Sequence, residues 1–113
     1  MATLDHVQVA APPGCEAEAR AFYGELLGLE EVEKPDSLRG RGGVWFQPLH
    51  VGVEEDFRPA RKSHPALRVS DIDALATRLT TLGKLVEWDD ALPGIRRFYT
   101  ADPWGNRVEL LGS

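Results

Sequence analysis

Two copies of one pattern fill this chain, and the repeat limits its fold more than any other property of the sequence. The first half runs as an alternating apolar stretch (4–10), a helical stripe (15–27), a short extended stretch (29–32), a loop rich in glycine (34–43), then two extended stretches (44–47 and 49–53) around Pro48. The second half repeats the order with 64–69, a helix from Ser70 to about Leu82, 85–87, a loop over 89–94, and a closing hairpin of 95–101 and 106–111. Each helical stretch stops at a glycine, Gly28 or Gly83, an offset of 55, and each half opens with a histidine, His6 or His64, an offset of 58. The difference of three is absorbed in the Ala11-Pro12-Pro13-Gly14 connection. A fixed internal period of this size means one supersecondary unit used twice. The expected fold is α+β, two βαβββ units at about 1–55 and 62–113 within one domain, with the polar stretch 54–63 as linker.

The apolar spacing within each unit shows which face is buried. Ala19, Phe22, Tyr23, Leu26 and Leu27 form one helical stripe, and Ile72, Leu75, Ala76, Leu79 and Leu82 form the other. Glu16 and Glu18 suit the positive end of the first helix, and Ser70 with Asp73 resembles a capping box. In the first strand Val7 and Val9 oppose His6 and Gln8; in the strand that opens the second half Leu67 and Val69 oppose His64, Ala66 and Arg68. Each unit can therefore pack its helix on one face of its strands and leave a mixed face, and both mixed faces can line one cavity.

The closing hairpin carries the residue least at home in an apolar strand. Asp102-Pro103-Trp104-Gly105 is turn chemistry, with Asp first, Pro presetting φ at the second position and Gly at the fourth. After it Val108 and Leu110 share one face, and Arg107 and Glu109 the other. A carboxylate there must face solvent, an arginine or a metal ion.

Composition removes several function classes. The chain has 113 residues and a formal charge of −5, which argues against nucleic acid or an anionic membrane surface as partner. No apolar run is long enough to span a bilayer. The N-terminal Met1-Ala2-Thr3-Leu4-Asp5 shows no secretory signal pattern, and the single cysteine, Cys15, excludes an internal disulfide; both fit a cytoplasmic protein. Cys15 is expected to be inert packing.

Four stretches resemble the vicinal oxygen chelate superfamily, which includes glyoxalase I, fosfomycin-modifying thiol transferases, bleomycin-resistance proteins and extradiol dioxygenases. They are Leu4-Asp5-His6-Val7, Phe22-Tyr23-Gly24-Glu25-Leu26-Leu27-Gly28-Leu29, Ser63-His64-Pro65-Ala66-Leu67, and Asp102-Pro103-Trp104-Gly105-Asn106-Arg107-Val108-Glu109-Leu110. The resemblance implies a partial barrel made from the two units, and metal ligands at His6, His64 and Glu109. Two imidazoles and a carboxylate suit a divalent ion such as Mn, Fe, Ni or Zn and leave positions open for a bidentate ligand. Such an ion stabilises an enolate or alkoxide as charge develops on oxygen. A lone strand histidine is ordinarily a satisfied packing residue; three matched positions favour metal.

The chain also departs from the pattern. Glyoxalase I adds a glutamate ligand on the strand before the midpoint, where this sequence has Phe46-Gln47-Pro48-Leu49-His50 and no acid. The expected function is a metal-dependent lyase, isomerase or thiol-transferase step on a small oxygen-rich molecule. The alternative is a metal-free protein that binds a drug or metabolite in the same cavity. Gln8, Trp45, His50, Arg68, Arg97 and Trp104 are the candidate substrate-binding residues, with Trp45, His50 and Trp104 as an aromatic wall. A homodimer is expected, with His6 of one chain meeting His64 and Glu109 of the other.

Overall fold

The structure, a computed structural model, describes residues 1–112. Two compact units divide at Pro59 and Ala60. The first contains β1 (Val7–Ala11), α1 (Glu16–Ala19) continuing into a π-helical stretch (Arg20–Leu26), β2 (Glu30–Val32), a 3-10 turn (Asp36–Arg41), β3 (Val44–Gln47) and β4 (Leu49–Val53). The second contains β5 (Ala66–Val69), α2 (Ile72–Thr81), β6 (Glu87–Trp88), β7 (Arg97–Ala101) and β8 (Arg107–Gly112). The described residues form two four-stranded sheets, ordered β1-β4-β3-β2 and β5-β8-β7-β6. In each, the first strand runs parallel to the last and the other pairs are antiparallel. The helix carries the chain across so that the returning meander can end parallel to the opening strand. The expected α+β fold with two βαβββ repeats is what the chain adopts.

Burial follows the predicted stripes. In the first unit Ala11, Cys15, Ala19, Phe22, Tyr23, Val44, Phe46, Leu49 and Val51 are buried; in the second Ile72, Ala76, Leu79, Phe98, Val108 and Leu110. Burial pushes the Cys15 thiol pKa up, followed by repulsion from Glu16, as suits an inert core cysteine.

Several boundaries differ from the sequence expectation. Both opening strands start late, at Val7 and Ala66: Val7 pairs with Leu49, the first residue of β4, and Ala66, just after Pro65, pairs with Glu109, two residues into β8. Leu4 is largely exposed, and His6 and His64 precede the strands rather than belonging to them. The first helix is α-helical for only four residues and then widens, with the Leu27 N–H reaching the Phe22 carbonyl at 3.0 Å. Gly24 lies in the widened stretch, where an added Cβ would sit 3.2 Å from the Phe46 ring. The second helix is capped by Asp71, not Ser70: Asp71 has extended backbone (ψ 85°) and its Oδ1 accepts from the Ala74 N–H at 3.0 Å. It ends in a Schellman motif, Lys84 N–H to Leu79 carbonyl and Gly83 N–H to Thr80 carbonyl, with Gly83 at φ 74°. That reversal leaves Leu82 exposed, although the stripe predicts it inside. The expected loop over 34–43 holds the 3-10 turn, and β6 and β7 start two residues later than predicted.

Candidate functional site

Strand register aligns the two units residue by residue. Gln8, His50, Trp45 and Val32 stand side by side across β1, β4, β3 and β2. Ala66, Glu109, Tyr99 and Glu87 hold the same places across β5, β8, β7 and β6. His50 is thus the counterpart of Glu109, and Trp45 of Tyr99. His6 and His64 each stand two positions before the first residue of the row. Because side chains alternate along a strand, the strand residues of each row lie on the face of their own sheet opposite its apolar positions, Val7 and Val51 in the first unit and Leu67, Val108 and Leu110 in the second.

In the second unit the face carries a connected polar cluster. The β7–β8 turn fixes it: the Gly105 N–H donates to the Asp102 carbonyl at 3.1 Å, and Asp102 Oδ1 accepts from the N–H groups of Trp104 and Asn106. Asn106 Nδ2 donates to Asp102 Oδ2 at 2.8 Å, while Asn106 Oδ1 accepts from the Ala60 N–H at 2.9 Å. This holds β8 in register and brings Glu109 opposite Tyr99 and Ala66.

Glu109 is 7% exposed. Its Oε2 accepts from Arg97 Nη1 at 3.1 Å, and its Oε1 lies 2.9 Å from His64 Nε2. His64 Nδ1 lies 2.8 Å from the Lys62 carbonyl oxygen. A carbonyl can only accept, so Nδ1 carries a proton; Nε2 then either donates a second proton to Glu109 Oε1 or presents a lone pair to it. In the second case a lone pair faces a carboxylate oxygen. Two acceptors at this distance repel unless a cation, either a proton or a metal ion, stands between them. Two cis ligands of one octahedral ion, each about 2.1 Å from it, are themselves about 3.0 Å apart. The donor pair therefore fits a divalent ion, and its remaining atoms are already tied back as ligand histidines and carboxylates usually are.

Arg97 is 8% exposed and pairs with two carboxylates through its terminal nitrogens, while its Nε has no hydrogen-bond partner among the described residues. Nη1 also donates to the Tyr99 hydroxyl at 2.9 Å, and Nη2 lies 3.0 Å from Asp89 Oδ1. The Glu109 bond holds the guanidinium pKa above its ordinary value. Arg107 covers the Tyr99 ring, 3.8 Å from its centroid.

In the first unit the same places carry aromatic chemistry. His50 is sandwiched between Trp45, at 4.0 Å between centroids and 9° between planes, and His6, at 4.1 Å and 15°. Burial lowers the His50 pKa, repulsion from His6 adds to it, and the ring is kept neutral. His6 Nδ1 is 2.8 Å from Asp5 Oδ2, so the Nδ1–H donates to the carboxylate and orients the ring. The Gln8 amide lies over Gly52, where a Cβ would come within 2.9 Å of Gln8 Cδ.

The predicted residues are thus distributed. His64 and Glu109 are together, and Arg97 joins them. His6, His50, Trp45 and Gln8 are grouped in the other unit. Arg68 is exposed, donating to the Gly112 carbonyl at 2.9 Å, and Trp104 is half-buried in the β7–β8 turn. Among the described residues no three His, Cys, Asp or Glu side chains are gathered as one metal-holding group. Sequence reasoning missed Tyr99, Asp89 and Asp5. Asp5 had a local signal, a carboxylate beside a candidate ligand histidine; Tyr99 and Asp89 become visible only through the register of β7.

Comparison with known proteins agrees with this architecture. Residues 9–111 match the family described as glyoxalase-like domain, and the chain belongs to that family. A glyoxalase family protein from Bacillus anthracis is 50% identical, with a TM-score of 0.92 over 100% of this chain and 96% of that one. A mutant of the fosfomycin resistance protein FosX from Listeria monocytogenes, solved with Mn(II) and a dihydroxypropylphosphonic acid, is 18% identical with a TM-score of 0.78 over 100% and 93%. TnmS3, an antibiotic binding protein from a Streptomyces species, is 21% identical with a TM-score of 0.67 over 99% and 96%. At those identities the last two share the fold alone. No curated protein sequence matches the chain.

Proposed function

We propose that this protein is a divalent-metal enzyme of the glyoxalase-like family, with His6, His64 and Glu109 as ligands. It performs a lyase, isomerase or thiol-transfer step on a small oxygen-rich molecule. The observation that carries this reading is the His64–Glu109 pair: Nε2 lies 2.9 Å from a carboxylate oxygen, the separation of two cis ligands on one ion, with the opposite ring nitrogen donating to a carbonyl. The FosX relative bound Mn(II), which supports the choice of ion. When bound, the ion supplies Lewis-acid stabilisation of negative charge on a substrate oxygen.

The chain's own residues do the rest. Asp5 and the Lys62 carbonyl orient the two imidazoles through Nδ1, and Arg97 holds Glu109 through Oε2. Gln8, Trp45 and His50 bind the organic part of the substrate, with the neutral His50–Trp45 stack as an apolar wall. Arg68 and Trp104 are peripheral binding residues in this reading. The active form is a homodimer in which His6 comes from the second copy, giving two equivalent sites. Among the described residues no helix is long and apolar enough to cross a membrane. A single free thiol, buried Cys15, supports a cytoplasmic location.

A second reading follows from the stack itself. Trp45, His50 and His6 form a column of three stacked rings, and the family fold includes an antibiotic binding protein. In that case the protein sequesters a drug or metabolite without turnover. Elemental analysis of purified protein separates the two. The enzyme reading predicts one divalent ion per chain, lost in His64→Ala without loss of fold. Metal-free wild-type protein after incubation with Mn, Fe, Ni and Zn salts overturns it in favour of the binding reading.

A further inference from the structure

We infer that Arg97 is a positioning residue for the metal site, acting through Glu109: it decides which carboxylate oxygen faces the ion and keeps Glu109 a monodentate ligand. This rests on the metal reading above.

A glutamate side chain has two equivalent oxygens and three rotatable bonds, so nothing in the residue itself selects one oxygen for the ion. Here the selection is made from outside. Arg97 Nη1 bonds Oε2 at 3.1 Å and leaves Oε1 toward His64 Nε2. Arg97 cannot drift from that place. Asp89 Oδ1 holds Nη2 at 3.0 Å, and the Tyr99 hydroxyl accepts from Nη1 at 2.9 Å. The backbone adds to this, because the Asp89 N–H donates to the Arg97 carbonyl at 3.1 Å. The guanidinium is nine-tenths buried, and its fork matches the directions of its acceptors, which a lysine ammonium would not.

Glu109 also sits across the strand pair from Tyr99, so β7 supplies both the arginine and the hydroxyl that steadies it. The first unit has no such arrangement. His50, in the equivalent place, is held by stacking between Trp45 and His6 instead. Arg97 is thus a permanent internal cation bound to one oxygen of the proposed ligand. It is neither a free surface charge nor a residue open to an anionic substrate.

The inference makes Arg97 matter to metal binding only while Glu109 is a carboxylate. Mn(II) affinity is measured by titration calorimetry for wild type, Arg97→Gln, Arg97→Lys, Glu109→Gln and the double variant Arg97→Gln/Glu109→Gln, with urea midpoints recorded alongside. Arg97→Gln is expected to weaken Mn(II) binding roughly 10–100-fold, the usual effect of removing an outer-shell partner. Arg97→Lys should recover stability better than affinity. In the Glu109→Gln background the same Arg97→Gln change should leave the residual affinity unaltered. Mn(II) electron paramagnetic resonance adds a readout that folding alone would not move: the zero-field splitting should change in Arg97→Gln at saturating metal.

An Arg97→Gln effect of equal size in both backgrounds overturns the inference, as does unchanged Mn(II) affinity in folded Arg97→Gln. If wild-type protein takes up no Mn(II), the metal reading fails and the inference with it. If the wild type binds and only the Arg97 comparison fails, the metal reading stands and the inference alone is wrong.

Discussion

The two halves of this chain share one backbone plan and have opposite chemistry on the same row of side chains. In the first, His50 lies neutral between two aromatic rings, and the row Gln8, His50, Trp45 and Val32 carries no formal charge. In the second, the equivalent Glu109 is buried, charged and tied to Arg97 and His64. Stacked rings and a paired buried carboxylate both satisfy a half-open sheet face, but they respond differently to damage. A stack degrades contact by contact. An ion-paired cluster loses charge compensation as soon as one member is lost. Repetition of topology therefore does not imply repetition of energetics, and the two halves should be separable by experiment.

The largest separation is expected from truncating the two equivalent residues. Glu109→Ala takes one of two carboxylates from the buried Arg97 guanidinium and the carboxylate partner from His64, and leaves Asp89 alone to compensate the arginine. His50→Ala removes two ring contacts worth about 0.5–1.5 kcal/mol each and strands no charge. Urea unfolding should rank Glu109→Ala clearly below His50→Ala. Equal losses would mean that the halves do not differ in kind.

A smaller effect distinguishes the core faces. Phe46 in β3 corresponds to Thr100 in β7, and both are about 1% exposed. Thr100 Oγ1 has no hydrogen-bond partner among the described residues. Thr100→Val removes that polar atom with little change of shape and should stabilise the protein by about 1 kcal/mol. A lower urea midpoint for this variant would show that the hydroxyl is satisfied in solution.

The smallest effect is a pH dependence specific to the first half. The His50 pKa is lowered from 6.5, mainly by burial. Near and just below 6.5 the unfolded chain then binds more protons at this site than the folded one, so stability rises with pH in that window. The contribution is complete above the unfolded value and is lost as pH falls through the lower folded value. His50→Phe keeps a ring in the stack and removes the titration. The fall in urea midpoint between pH 7.5 and pH 5.5 should therefore be shallower in His50→Phe than in wild type, and an identical fall in both would contradict the assignment.

How much of this was legible in the sequence differs by element. Alternation and helical spacing located most of the strands and both helices, since a half-buried strand and an amphipathic helix leave periods that no partner alters. The Asp102–Gly105 turn was equally plain, because Pro103 and Gly105 restrict the backbone by themselves. Strand starts were not legible: Val7 begins its strand where β4 offers its first partner, and Ala66 only at Glu109, the third residue of β8. The cap moved from Ser70 to Asp71 because two adjacent residues can both cap, and the extended backbone at Asp71 settles which one does. The widening of the first helix depends on packing between Gly24 and Phe46, which local propensity does not encode. At the site, the residue types pointed to His64 and Glu109, but not to the equivalence of His50 and Glu109. That equivalence is a matter of register, and a shift of one residue would have turned either side chain to the opposite face. Arg97 read as a substrate-binding candidate because a sequence shows a cation without showing the carboxylates, Asp89 and Glu109, that surround it.

The central claim is that the second half presents His64 Nε2 and Glu109 Oε1 to one divalent ion. The most direct measurement is anomalous diffraction at the manganese edge from crystals grown with Mn(II). The account predicts a single peak per chain at about 2.0–2.2 Å from both atoms, with Oε2 still bonded to Arg97 and a histidine Nε2 from His6 completing the set. A well-ordered map with no peak between His64 and Glu109, or a peak that touches neither, would contradict it.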